Sequence, residues 1–197
     1  MTREVTLIGA PTDVGAGTRG ASMGPEALRV AGLGATLANQ GVHVEDHGNL
    51  AGPANPWQPA LGGYRHLPQV TAWSRAVHDA VHAELARERL PIVLGGDHSL
   101  AIGSISAVAR RCRTTRRRLR VLWLDAHADF NTSALTPSGN LHGMPVACLA
   151  GHGPRELIEM SGGVPALQSK WIRQIGIRSV DPGEKRFVHA AGLEVFD

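Results

Sequence analysis

At 197 residues, 43% hydrophobic and 19% charged, the chain has the size and composition of one sizeable globular domain. Such a domain withdraws roughly 70% of its unfolded surface from water; neither a disordered nor a membrane-spanning polypeptide has this make-up. The formal charge of +3 owes its sign to seven arginines crowded into residues 110–120, a run with no interleaved aromatic and no binding module around it, which reads as a helix C-terminus and a solvated loop rather than a nucleic-acid patch.

The opening MTREVTLIGAP carries an acidic residue and too short an apolar stretch for a signal peptide or membrane span, so Glu4 to Ile8 reads as a buried strand of a cytoplasmic protein. Cys112 and Cys148 are the only cysteines. They stand far apart and form no CxxC pair, so neither a disulfide framework nor a thiolate zinc site is expected. Residues 24–41, opened by Pro25 and closed by Gly41, read as one helix. Val42 to Glu45 is a second strand, and the Pro- and Gly-rich stretch 50–68 a loop. Helical periodicity over 71–90 precedes PIVLGG, an apolar strand of the kind buried inside a parallel sheet. The alternation repeats with a helix from Leu100 to Arg111, a strand from Leu119 to Leu124, an excursion through 126–142 and a helical stretch from Met144. A strand over 170–177, a helix over 182–192 and the start of a strand at 193–196 complete it. Strands alternating with helices predict an α/β sandwich with a mostly parallel sheet, one domain over residues 1–197.

In open parallel sheets ligands gather beyond the carboxyl ends of the strands. Two such ends carry metal-binding chemistry: GGDHS presents Asp97, His98 and Ser99, while DAHAD places Asp125, His127 and Asp129 at alternating positions, which on a strand share one side. Two imidazoles and two carboxylates without a thiolate suit Mn²⁺ or a similar first-row ion. Bridging carboxylates could hold two ions about 3.5–4 Å apart and deliver a shared hydroxide.

Three segments, GGDHS (95–99), DAHADFN (125–131) and SGNLHGMP (138–145), resemble the signatures of the arginases, binuclear manganese hydrolases of the ureohydrolase superfamily. The likeness extends to GTRGASMGPEALRVAGL near the N-terminus and to VDPGE at 180–184. The resemblance implies a three-layer α/β sandwich around a mostly parallel central sheet, and hydrolysis of L-arginine to L-ornithine and urea. It implies His98, Asp125, His127 and Asp129 as ligands of two Mn²⁺, with Asp129 also passing a proton to the leaving amine. Asn131, Ser138 and Asn140 would hold the substrate's α-carboxylate, Asp181 its α-amino group; His142 would shuttle protons near the mouth and Glu184 support the substrate. A homo-oligomer, trimer or hexamer, is also implied.

The chain departs from that pattern too. Arginases carry an SxDxDxxDP motif with two further aspartate ligands, and later a glutamate that pairs with the guanidinium. Neither is present, so the chain resembles an arginase without its C-terminal third, with strand edges or apolar faces uncovered and catalysis impaired. Alternatives are another ureohydrolase, such as an agmatinase or guanidino-acid hydrolase, and a non-catalytic fragment retaining the fold. GAGTRG (15–20) formally matches a dinucleotide fingerprint but stands off its strand end. His78 and His82, one helical turn apart, are expected to be solvated, and Trp123 and Trp171 to lie in core strands.

Overall fold

The computed structural model describes residues 4–196. Two parallel three-stranded sheets carry the fold. In the first, β1 (Val5–Ala10) lies between β2 (Val44–Asn49) and β3 (Leu90–Gly95); in the second, β5 (Ile172–Ile175) lies between β4 (Val121–Leu124) and β6 (Glu194–Phe196). The helices are α1 (Gly24–Val30), α2 (Leu33–Asn39), α3 (Leu67–Ala86), α4 (Ala101–Thr114), α5 (Pro145–Leu149), α6 (Arg155–Ile158) and α7 (Pro182–Ala190). The layered α/β arrangement is the expected one, but its strands form two hydrogen-bonded groups instead of one continuous sheet.

All six residues of β1 are buried, because both faces of its sheet are covered. Val5, Leu7 and Leu94 pack toward Leu33 and Leu37 of α2. Ile8 and Ala10 join Val70, Trp73 and Val77 of α3 and Ile102 of α4 on the other side. Each such aliphatic side chain contributes about 1.5–3 kcal/mol on burial, and the absence of alternation in VTLIGA is the signature of a strand buried on both faces.

Several boundaries differ from the sequence reading, two of them for plain local reasons. The single helix expected over 24–41 is two, because Gly32 adopts φ 81, a left-handed conformation that stops a right-handed helix and that glycine enters without strain. The second strand runs over 44–49 and is largely polar. As an edge strand it has no apolar run to betray it, and it is held partly by Arg29, whose guanidinium meets Asp46 at 2.8 Å and donates to Asn49 at 2.7 Å.

Among the described residues the second sheet is covered on one side only. Trp123 and Ile172 are buried beside Ala128, Phe130, Ala147 and Val188. The opposite face aligns Leu122 with Arg173, and Leu124 with Ile175 and Phe196, and these apolar side chains are 65%, 72%, 41% and 53% exposed for Leu122, Leu124, Ile175 and Phe196. An ion pair between Arg173 and Glu194 at 2.5 Å crosses the same face.

Candidate metal centre

The two sheets meet at their carboxyl tips. At the end of β3 the backbone runs so close to Ala10 and Thr12 that a Cβ on Gly96 would stand 2.6 Å from either carbonyl oxygen, which accounts for the glycine. Asp97 follows as an N-cap, its buried carboxylate accepting the amides of Ser99 at 3.0 Å and Gly15 at 2.9 Å. Asp97 and Ser99 therefore look inward, and of this strand end only His98 faces the site. Its ring stacks on Trp123 of β4, centroid to centroid 4.3 Å.

Beyond β4 the chain leaves the sheet. Asp125 donates its amide to Ile175 at 3.1 Å, His127 forms a lone bridge with Ser179, and the Ala126 carbonyl accepts the amides of Arg178 and Ser179. Asp129 takes φ 49. Asp125, His127 and Asp129 are thus not successive positions on one side of a strand: a turn pinned by the segment after β5 brings the two carboxylates together. His98 Nδ1 lies 2.9 Å from Asp125 Oδ2 and 2.9 Å from Asp129 Oδ2, and one ligand atom from each of the three falls within 4.8 Å of the others. His127 stands outside that group. Its Nδ1 is 3.3 Å from Asp125 Oδ1, and its side chain is 62% exposed.

Burial pushes the Asp129 carboxyl above its ordinary value against the opposing pull of His98, and the charge of Asp125 adds to the rise. Burial works against the His98 imidazolium, yet hydrogen bonds and charge from Asp129 and Asp125 outweigh it and raise the ring's pKa. Two acidic groups forced onto one imidazole hold a shared proton tightly, and a divalent cation competes for that place because its ligands must be deprotonated.

A cavity of about 310 Å³ opens over the trio, and the ten residues to which the resemblance assigns roles all line it, whereas Asp97 and Ser99 do not. Asn131 donates to Asp181 Oδ2 at 3.1 Å. Asp181 caps α7, and Glu184 closes the capping box, accepting the amides of Asp181 at 3.3 Å and Phe130 at 2.7 Å. Burial raises the Glu184 pKa beyond what those donors lower it. The oxygens of the Asn131 and Asn140 amides are buried without a partner among the described residues, leaving polar capacity for a ligand.

Sequence reasoning gave no role to Thr136, whose hydroxyl accepts the amides of Ser138 and Gly139 at 3.3 and 3.0 Å. The turn-forming TPSG composition was the available signal. GAGTRG serves this same site: the Gly15 carbonyl accepts the His142 amide at 3.1 Å, and a Cβ on Gly17 would stand 2.8 Å from the Asn140 amide nitrogen. It is packing for the SGN loop, not a dinucleotide turn. His78 is buried rather than solvated and stacks on His82. Trp171 belongs to a short 3₁₀ turn before β5 and is only partly buried.

Hard N and O donors gathered beyond the carboxyl tips of parallel strands, beneath a polar cavity, define a class of α/β protein that can hold a divalent cation. The arginase family model matches residues 3–197, and the chain belongs to that family. It is 36% identical to an arginase of Brevibacillus brevis over 196 residues, covering 100% of this chain and 64% of the relative. A structure of Bacillus caldovelox arginase superposes with TM-score 0.91 at 36% identity, covering 98% of this chain and 64% of the other. That of an Entamoeba histolytica arginase in complex with L-ornithine gives 0.88 at 33% identity, covering 100% and 66%. The chain thus spans 64% of the length of the Brevibacillus relative.

Proposed function

We propose that the protein hydrolyses L-arginine to L-ornithine and urea, with Mn²⁺ at the centre built from His98, Asp125, Asp129 and His127. The observation that carries this reading is the convergence of His98, Asp125 and Asp129 within 4.8 Å beneath a cavity ringed by small polar side chains. The names of the arginases above and the L-ornithine in one of them support the choice of substrate and product. The donors fit the ion: they are imidazole and carboxylate, without thiolate, and carry more negative charge than one histidine can balance. The pair of Asp125 Oδ1 and His127 Nδ1 offers ligands to a second ion. Bound there, manganese supplies a Lewis acid that lets water act as a nucleophile near neutral pH.

The chain's own residues do the rest. A guanidinium carbon is a poor electrophile, so its positioning matters as much as activation. Asn131, Ser138 and Asn140 hold the α-carboxylate, and Asp181 takes the α-amino group. Asp129 accepts a proton from the attacking water and returns it to the departing amine. His142 exchanges protons at the mouth. Glu184 positions the others by tying the Phe130 amide to the start of α7. By family likeness the chain assembles as trimers or hexamers in the cytoplasm; no described helix is long and apolar enough to cross a membrane.

The test has two readouts. Calorimetric titration with Mn²⁺ should show saturable binding that His98→Ala and Asp129→Asn each abolish; binding unchanged in both variants removes the metal centre. Urea release with Mn²⁺ should be faster from L-arginine than from agmatine, and the reverse order would overturn arginine as the substrate.

A further inference from the structure

At the opposite end of β4, away from the metal centre, the arginine-rich segment does more than end a helix. The last turn of α4 closes with Arg116 in the left-handed region at φ 54. The Arg116 amide donates to Arg113 O at 3.2 Å and the Arg117 amide to Cys112 O at 2.8 Å. This is the Schellman arrangement, which normally takes glycine at the left-handed position; a non-glycine residue held there is strained. The turn sends Arg117, Arg118 and Arg120 back to line a cavity of about 780 Å³, together with Arg113 and Lys170. Arg113 is fixed in place by donating to the Ser161 carbonyl.

The cavity has two chemistries. Its floor is apolar, with buried Ala109, Ala166 and Leu167 and partly buried Leu119 and Trp171; its rim is cationic. No acidic residue lines it, and among the described residues none of the five cations has a carboxylate within 4.0 Å. The α4 C-terminus opposes an anion with only about half a negative charge. Its last carbonyls are already engaged, Arg111 O by the hydroxyls of Thr114 and Thr115, Cys112 O and Arg113 O by the turn amides. Five full positive charges outweigh that fraction.

We propose that this cavity binds a phosphorylated small molecule with a flat apolar body, its phosphates on Arg117, Arg118, Arg120 and Lys170 and its body on the Leu119 and Trp171 floor. Guanidinium forks match phosphate oxygens in pairs, and a multivalent anion is what relieves the mutual repulsion of five cations. The volume lies in the range of about 300–1,000 Å³ usual for small ligands. An extended nucleic acid is the weaker fit, since the charges ring a concavity rather than follow a stripe with aromatic steps. The site stands apart from the metal centre: Leu119 and Arg120 precede β4 and Asp125 follows it, a strand length of roughly 13 Å between them. The proposal is therefore independent of the catalytic reading.

The experiment titrates the purified chain, without added divalent metal, with ATP, inorganic pyrophosphate, adenosine and a short single-stranded RNA, read by calorimetry and by tryptophan emission. ATP should saturate at one per chain, bind more weakly as salt rises, and quench emission that Trp171→Phe removes. Pyrophosphate and adenosine should each bind at least about tenfold more weakly than ATP. Arg117→Gln combined with Arg118→Gln should lose about tenfold in ATP affinity with an unchanged circular dichroism spectrum, since both side chains are exposed. No saturable ATP binding, or binding untouched in the double variant, overturns the site. Pyrophosphate binding as tightly as ATP overturns the apolar half of the ligand, and RNA binding that outcompetes ATP assigns the surface to nucleic acid instead.

Discussion

The two sheets are built alike and buried unlike. In the first, a strand with no polar residue but Thr6 lies between α1 and α2 on one face and α3 on the other, and even Thr6 is satisfied by donating to buried Glu84 at 2.9 Å. In the second, every described helix that contributes to its core stands on the Trp123 side, and Leu122, Leu124, Ile175 and Phe196 face outward. Parallel sheets are stable when covered on both faces. The first sheet meets that condition within the described residues and the second meets half of it. The candidate metal centre straddles the two, taking His98 from the first and Asp125 and Asp129 from the tip of the second, so its geometry depends on the less protected region.

The largest contrast should come from truncating one leucine in each region. Leu7→Ala, in a fully buried position, should cost about 2–5 kcal/mol in urea unfolding, whereas Leu124→Ala should change stability by no more than about 0.5 kcal/mol. Equal costs would show that the outer face of the second sheet is covered in solution. Next comes the seam between the regions: Asp97→Ala leaves two buried amides without acceptors and should cost about 1–3 kcal/mol for each, while also loosening the His98 loop, seen as weaker Mn²⁺ binding.

Two buried glutamates sharpen the comparison through pH. At Glu84, in the first region, burial works to raise the pKa but Thr6, His47 and Arg87 bring it below its ordinary 4.5. Its stabilisation is therefore complete above about pH 4.5 and is lost as pH falls through the lowered folded value. At Glu184, in the second, burial and the charges of Asp129 and Asp181 leave the pKa raised; its contribution is present below 4.5 and is lost as pH rises through the folded value. The stability gap between the parent and E84Q should shrink on acidification. That between the parent and E184Q should move the other way, and parallel urea-midpoint curves for both variants would refute the assignment. Smallest in free energy, Leu122→Ser with Leu124→Ser should leave the unfolding midpoint within about 0.5 kcal/mol while reducing binding of a hydrophobic dye and aggregation on concentration.

Much of this was legible because the signals are local. VTLIGA and PIVLGG announce doubly buried strands by composition alone, and Pro182 after Asp181 announces a helix start. Val44 to Asn49 was harder to place, since an edge strand needs no apolar run, and Gly32 reads equally as a tolerated helical glycine or as a stop. Alternation along a strand predicts Asp125, His127 and Asp129 on one side; in the structure a turn with Asp129 left-handed brings the two aspartates to His98 and leaves His127 outside their group.

Taken alone, the sequence determined which functional groups are available and in what order, because the chemistry of DAHAD, GGDHS and SGNLHG is a property of the side chains themselves. Tertiary structure alone decided that His98 meets Asp125 and Asp129, that Asp97 turns inward to bind amides, that the arginines surround a cavity, and that one face of the second sheet is left exposed among the described residues. Each of these depends on contacts between segments far apart in the chain, and no local periodicity or propensity encodes them.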